Sequence, residues 1–490
     1  MSRNRTIIDC YTDEPAGLGV PPYLGVWPRY VAGRYKQIPT YLTIDDLRVA
    51  HYKRKHKDDS FDPPNGRTKI KFINHTRNRD EIRHILKRTD QVTVIAGVHT
   101  PGKYLTGKPG TLKEIKKLLS FYKFRKILVG PVVGFGTQFR GGGVPELPEY
   151  GYFDEIRELG GNTYDKKQPV FLKGAEILNQ IPQERIIEIE TGTGCIRERG
   201  CSFCTEPLKN RLHWRQPQQI IEEVRLFQKL GARASRLGKQ SCIYSYQNGD
   251  VKKLKELLSG LAKLEPDVLH IDNANPVMVN EERTRLFVKY LTGGSTAAMG
   301  IESFDPKVIK LNNLNSSKEE AFEAIRIINR VGGQRGQNGI PKLLPGINIL
   351  LGLEGETSET LEMNYLALKA LLDENLLIRR INIRQVVPFP GTRLYERTGN
   401  KFLRKNRRLY SRWIEKVRHE IDLPMLQKLF PKGVILRNLK SEIHDGKVTF
   451  MRQIGSYPII VGIERRLPLG QFFDVRIKGH MLRSLVGEIV

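Results

Sequence analysis

Between residues 186 and 399 the chain alternates apolar, strand-like runs with amphipathic helical stretches, and this rhythm limits the possible folds more than any other feature. The strand-like runs cover residues 186–189, 234–237, 268–271, 297–301, 346–351 and 381–387, with helical patterns such as 217–230 and 318–331 between them. A helix between two strands returns the chain over the sheet, so such strands pair in parallel. Six units of this kind fit a parallel sheet curled into a partial (β/α)6 barrel, where chemistry gathers at the C-terminal ends of the strands.

The flanks read differently. Strand-like runs at 92–96 and 126–130 enclose a helical pattern at 111–122 that places Leu112, Ile115, Leu118 and Leu119 on one face. This strand–helix–strand unit predicts a doubly wound, flavodoxin-like α/β domain over residues 1–180. The Gly/Pro-rich run 13–22 and the Gly-rich stretch 134–143 read as connections, and Gly97-Val-His-Thr-Pro-Gly-Lys103 as a polar turn or a contact for substrate or partner. Residues 401–432 form a basic, helical linker, and the short alternating runs at 448–450, 458–463, 472–478 and 484–489 predict a small antiparallel β-barrel. The expected domains are therefore 1–180, 181–400 (the core), 401–432 and 433–490, in keeping with a length of 490 residues that exceeds a single core.

Cysteines are few: Cys10, Cys195, Cys201, Cys204 and Cys242. A secreted disulfide framework would spread an even number along the chain, whereas three here crowd into Glu190-Thr-Gly-Thr-Gly-Cys195-Ile-Arg-Glu-Arg-Gly-Cys201-Ser-Phe-Cys204, directly after the first core strand. Soft thiolates suit an iron–sulfur cluster or zinc. Three of them would leave one iron of a [4Fe–4S] cluster open, while a structural zinc would need a fourth ligand, for which His213 and Cys242 are nearest in sequence. The cysteines alone admit both.

Their surroundings narrow the choice. Phe203 precedes the third cysteine; Arg215-Gln-Pro217 leads into Ile220-Ile-Glu-Glu-Val224; Leu237-Gly-Lys-Gln240 is followed by Tyr244-Ser-Tyr246. Further on come Gly300-Ile-Glu-Ser303 with Val308-Ile-Lys-Leu-Asn312, then Gly352-Leu-Glu-Gly-Glu-Thr357, then Pro388-Phe-Pro-Gly-Thr392. With these elements in this order, residues 186 to about 398 resemble the radical S-adenosylmethionine (SAM) superfamily, in the branch of methylthiotransferases and cobalamin-associated enzymes. The resemblance implies a [4Fe–4S] cluster on Cys195, Cys201 and Cys204, with SAM bound near Phe203, Gln240, Glu302, Ser303, Gly352, Glu354 and Pro388. It implies a 5′-deoxyadenosyl radical that abstracts hydrogen from an unactivated carbon, the protein supplying orientation and exclusion of water. An electron-donor protein is implied as well. The family usually puts three residues between its first two cysteines; this chain has five, Ile196 to Gly200.

Residues 433–490 are similar to the TRAM-type barrel that many tRNA methylthiotransferases append, with Lys478, His480 and Arg483 as candidates for phosphate contact. The N-terminal region has Cys10 alone where methylthiotransferases of this branch carry three cysteines for a second cluster, which disfavours sulfur insertion by their usual route. It also lacks the Asp-x-His-x-x-Gly loop of cobalamin-associated members; His75 and His99 are without that context, so cobalamin is a possible cofactor that no motif supports. With 81 Lys and Arg against 53 Asp and Glu, the formal charge of +28 attracts polyanions, nucleic acid above all. The expectation is a radical SAM enzyme that modifies RNA, specifically tRNA, with action on a protein or metabolite, or a non-enzymatic RNA-binding protein with a structural metal, as alternatives. No apolar run approaches the roughly 18 residues of a membrane span, and residues 1–12 have no apolar signal core, so a cytoplasmic enzyme is expected. Oligomeric state is not legible at this level.

Overall fold

A computed structural model describes residues 4–12, 23–52, 60–61, 72–78, 81–97, 108–138, 143–159, 163–182 and 184–490. The run 13–22, residues 98–103 with His99, and residues 139–142 of the Gly-rich stretch lie outside the described residues. The chain divides into two compact units: Met1–Ile189 with Gln219–Arg233, and Glu190–Gln218 with Ala234–Val490.

The first unit is built on a parallel sheet. Its strands are β1 (Arg5–Asp9), β2 (Thr40–Thr43), β5 (Gln91–Ile95), β6 (Arg125–Val129) and β7 (Glu155–Arg157); the pair β3 (Ser60–Phe61) and β4 (Phe72–Ile73) forms a separate antiparallel ribbon. The sheet order β2-β1-β5-β6-β7 reverses direction between β1 and β5, the doubly wound arrangement. Helix Leu112–Leu119 buries Leu112, Ile115, Leu118 and Leu119 on this sheet's core, and Thr111 caps it by accepting from Glu114 N at 3.2 Å. Cys10 is buried in the same core. Its first segment runs into β8 (Ile186–Glu190), all of whose residues are buried.

In the second unit, β9 (Gly192–Thr193) pairs with β10 (His213–Trp214) to form a ribbon that carries the cysteine loop. β11 (Ala234–Gly238) lies parallel to β12 (Val268–Ile271). A second parallel sheet runs β13 (Asn273–Ala274), β14 (Ser295–Glu302), β15 (Leu343–Leu351) and β16 (Arg380–Gln385) in chain order. β11 and β12 start where the sequence places them, β14 and β15 begin two and three residues before their most apolar stretch, and β16 stops at Gln385, short of the run read to 387. Helix Lys318–Gly332 closes its N-terminus with a capping box, Ser317 and Glu320 satisfying each other's backbone N–H.

Helix Lys401–Val417, a turn of π-helix at Arg418–Asp422 and helix Leu423–Leu429 lead to the C-terminal barrel. The barrel is closed in the order β17 (Ile435–Asp445), β18 (Val448–Gln453), β19 (Val461–Ile463), β21 (Leu485–Ile489), β20 (Phe472–His480). Its pairings are antiparallel apart from β19 with β21, which run parallel. The segment between β18 and β19 anchors the barrel to the core sheet. Ser456 N donates to His270 Nδ1 at 3.0 Å, the Tyr457 hydroxyl to Asp272 Oδ1 at 3.3 Å, and Arg379 to the Tyr457 carbonyl. Asp272 also pairs with Arg236 at 3.1 Å.

This anchor is sensitive to acid. His270 uses Nδ1 as an acceptor, so it is neutral with its proton on Nε2, 3.2 Å from the Gly293 carbonyl. Burial pulls the imidazole from 6.5 down to about 4. Below about pH 6.5 the unfolded chain takes up a proton that the folded chain refuses, so this contribution is intact above that pH and lost as pH falls towards 4. Between pH 7 and pH 5 the loss is about 2 kcal/mol. Urea unfolding at the two pH values is expected to show a smaller acid loss in His270→Gln than in the native chain; equal losses would remove His270 from the account.

Candidate functional site

The cysteine loop is fixed by hydrogen bonds from three directions. At its start, Gly194 N donates to Glu206 Oε1 at 2.9 Å, and Asn210 Nδ2 donates to the same oxygen at 2.9 Å. At its middle, Gly200 has φ 55° and comes so close to Pro207 that a Cβ would sit 2.7 Å from the ring, so only glycine fits before Cys201. At its end, Ser202 N donates to the Asn312 carbonyl at 2.9 Å, and Leu394 N donates to the Ser202 carbonyl at 2.9 Å.

Each thiol receives an N–H. Arg197 N points to Cys195 Sγ at 3.4 Å, Arg197 Nη1 to Cys201 Sγ at 3.3 Å, and Glu206 N to Cys204 Sγ at 3.4 Å. These donors suit thiolate ligands, whose negative charge they stabilise. The five-residue spacing between Cys195 and Cys201 has a use here: Arg197, from within it, also reaches Asn315 Oδ1 at 2.9 Å and the Asn313 carbonyl at 2.8 Å. In the metal-free chain burial pushes the Cys201 thiol up to about 12, with Cys204 adding and Arg197 opposing, and burial takes Cys204 up to about 11. Binding of metal therefore releases protons.

Of the two residues considered as a fourth zinc ligand, Cys242 is buried with its sulfur accepting from Asn275 N at 3.1 Å, and His213 sits exposed on β10. No group of three or more His, Cys, Asp or Glu side chains is gathered around a single metal ion among the described residues. A [4Fe–4S] cluster takes each thiolate on a separate iron.

The residues expected near SAM lie along the C-terminal ends of the core strands. Phe203 is half-buried between Cys201 and Cys204. Gln240, just beyond β11, is 1% exposed, and both its amide nitrogen and oxygen have no hydrogen-bond partner. Glu302 ends β14 at a bulge with φ 67°, a left-handed conformation that costs energy for a residue with a side chain. It is close enough to Cys201 to raise that thiol's pKa. Ser303 is committed elsewhere: its hydroxyl donates to Asn364 Oδ1 at 3.3 Å and accepts from Asp305 N at 3.2 Å. Gly352 follows β15 with φ 91°, and a Cβ there would lie 2.5 Å from Leu403. Glu354 pairs through Oε1 with Arg397 at 2.8 Å and keeps Oε2 buried without a partner. Pro388 is buried after β16. Glu190, at the end of β8 and 7% exposed, adds another partnerless buried oxygen, Oε1. Such atoms occur elsewhere among the described residues too; those of Glu190, Gln240 and Glu354 stand at or just beyond the C-terminal ends of β8, β11 and β15. Three thiols with N–H donors, together with these open polar atoms, fit a cluster and an amino-acid cofactor.

One residue joins the two halves of the site. Asn312, fully buried at the end of helix Pro306–Asn312, accepts from the Ser202 hydroxyl at 2.7 Å and Glu354 N at 3.3 Å. Its Nδ2 donates to the Val308 and Glu354 carbonyls, both at 2.9 Å. Asn313 next to it is left-handed, φ 48°, and donates to the Gly200 carbonyl at 2.7 Å. Sequence reasoning placed Asn312 in a motif but missed this bridging role, and missed Arg197, Asn313, Asn315 and Glu356. The Asn312-Asn313 step at a helix C-terminus was the available signal, since asparagine favours the left-handed cap. Glu356 accepts from Gly352 N at 2.9 Å, Asn406 Nδ2 at 3.1 Å and the Tyr410 hydroxyl, and burial raises its carboxyl.

Comparison with known proteins agrees with this geometry. The profile of the Radical SAM superfamily matches residues 189–366. An uncharacterised protein of Methanocaldococcus jannaschii is 39% identical over 99% of this chain and 93% of its own length. At 21% identity, a ribosomal protein uS12 methylthiotransferase of Clostridioides difficile aligns over 62% of the chain and 66% of its own. A tRNA-2-methylthio-N(6)-dimethylallyladenosine synthase of Endomicrobium trichonymphae, also 21% identical, aligns over 64% and 71%.

Proposed function

This chain belongs to the radical SAM superfamily and is an iron–sulfur enzyme, and from that footing we propose that it modifies a nucleoside of RNA, most specifically of tRNA. The observation that carries the RNA reading is the closed five-stranded barrel that follows the core in a chain of formal charge +28. A distant relative named for tRNA modification supports it; another is named for a ribosomal protein, so a protein substrate is the second reading.

Cys195, Cys201 and Cys204 would hold the cluster, and Gln240, Glu190 and Glu354 would offer their partnerless polar atoms to SAM, with Glu302 close to Cys201. When bound, the pair supplies a carbon-centred radical able to abstract hydrogen from an unactivated position. The chain's own contribution is placement. Arg197 neutralises charge beside Cys201, Asn312 holds the cysteine loop against residues 352–356, and the buried strand ends keep water out. An electron-donor protein is part of this reading, as is a cytoplasmic location; among the described residues no helix is long and apolar enough to cross a membrane. Cobalamin stays a candidate further cofactor of this reading, without the usual histidine motif in the sequence to support it.

The test is a comparison of tRNA nucleosides by mass spectrometry between a wild-type strain and one lacking this chain. One modified nucleoside is expected to disappear, its unmodified precursor taking its place. An unchanged nucleoside profile, with ribosomal peptides altered in mass, would transfer the assignment to protein modification.

A further inference from the structure

Several cations on the barrel's strands are already engaged by neighbouring groups. Arg437 pairs with Asp474 at 2.7 Å, Arg476 and Lys478 both meet Glu488 at 3.4 Å, and His480 Nε2 is held 2.7 Å from the Phe430 carbonyl. Of the three barrel residues expected to meet phosphate, Lys478 and His480 are thus already engaged, while Arg483 is exposed.

Helix Lys401–Val417 is the opposite case. Leu403, Asn406, Tyr410, Trp413 and Val417 form its buried stripe, and the rest of its surface exposes Lys401, Arg404, Lys405, Arg407, Arg408 and Arg412. Among the described residues Arg404, Arg407, Arg408 and Arg412 form no ion pair, and Lys405 stands near Glu359. No acid stands in the first turn and Asn400 gives no side-chain cap, so Lys401 and Arg404 crowd the positive end of the helix dipole. That arrangement is unfavourable for the isolated chain and favourable once a polyanion lies alongside. The cations recur at 401, 404–405, 408 and 412, one for each turn of about 5.4 Å, a spacing close to that of phosphates along a strand.

The helix is also fixed beside the site. Leu403 rests on Gly352, Asn406 donates to the Glu356 carbonyl at 2.9 Å, and Trp413 Nε1 donates to the Leu361 carbonyl at 2.7 Å. The loop it grips is the one that Asn312 ties to the cysteines.

We propose that the exposed face of helix Lys401–Val417 is the docking surface for the phosphodiester backbone of the substrate RNA, with the barrel's strand cations contributing little. The inference rests on the RNA reading above, and the experiment separates the two. Binding of bulk tRNA to the reconstituted full chain is measured by fluorescence anisotropy across salt concentrations, with iron content and melting midpoint as checks on folding. The triple variant R404E/R408E/R412E is expected to bind at least 10-fold more weakly, and its salt slope to fall by about 2, the amount for three lost phosphate contacts. The neutral variant R404Q/R408Q/R412Q should fall between them, while R476E/K478E on the barrel should stay within 2-fold of wild type. If wild type binds tRNA and the helix variants bind it equally well with the same slope, the docking assignment is overturned and the RNA reading stands. If wild type binds no tRNA, the RNA reading falls and this inference with it. Loss of binding to phosphatidylglycerol vesicles, with tRNA binding unchanged, would overturn it in favour of a membrane surface.

Discussion

Replacing Cys204 by alanine is expected to leave a folded chain that cannot complete its cluster and releases no 5′-deoxyadenosine from SAM. The thiol contributes little to folding: it is half-buried and takes one weak N–H, from Glu206 at 3.4 Å, so its loss costs the fold about 1 kcal/mol. Its loss to the site is expected to be far larger, because in the proposed site these three thiols on one loop are the whole ligand set. Cys10 and Cys242 are buried in other parts of the fold and cannot substitute. Cleavage should drop to background, while Cys242→Ala retains both iron and cleavage. Iron analysis and product quantification after anaerobic reconstitution provide the measurement, and cleavage retained by Cys204→Ala would refute the ligand assignment.

The second large effect is expected at Asn312, and the informative change is to aspartate. Asn312→Asp keeps the shape and the acceptor facing Ser202, but it turns the donor to the Val308 and Glu354 carbonyls into a second oxygen. Two acceptors would then face an acceptor in a fully buried place. The loss of stability should be about 2–4 kcal/mol. Turnover should fall by about 10²-fold, because the cysteine loop and residues 352–356 lose their shared alignment while all three cysteines remain. Iron content close to wild type together with collapsed turnover is the expected pattern. Equal turnover would show that the two loops are aligned by other contacts.

The elements that could be read from the sequence were those whose burial repeats with a regular period. Helix Leu112–Leu119 has one apolar face, and the core strands stand out as short Ile/Leu/Val-rich runs buried on both faces, even where they carry Glu188 or His270. β17 escaped notice because bulges at Leu436–Leu439 and Ser441–Ile443, with Asn438 at φ 61°, break its alternation. β1 and β2 each have just two adjacent apolar residues, Ile7-Ile8 and Tyr41-Leu42, between polar ends, so no apolar run marks them. In the site, cysteine chemistry marks its own position, but Arg197 looks like any loop arginine until it is seen beside two sulfurs. The Asn312 bridge joins residues 202, 312 and 354, which no local pattern connects. The basic helix was visible as charge; its seat on Gly352 and Glu356 was not, since that depends on a left-handed glycine meeting Leu403.

The claim that these three cysteines, despite their longer spacing, form a working radical site is tested most directly by one assay. The chain is reconstituted anaerobically with iron and sulfide, reduced with dithionite and given SAM. The account predicts four irons per chain, a reducible cluster and 5′-deoxyadenosine that depends on Cys195, Cys201 and Cys204 together. A chain that retains zinc in place of the cluster and leaves SAM intact would contradict it.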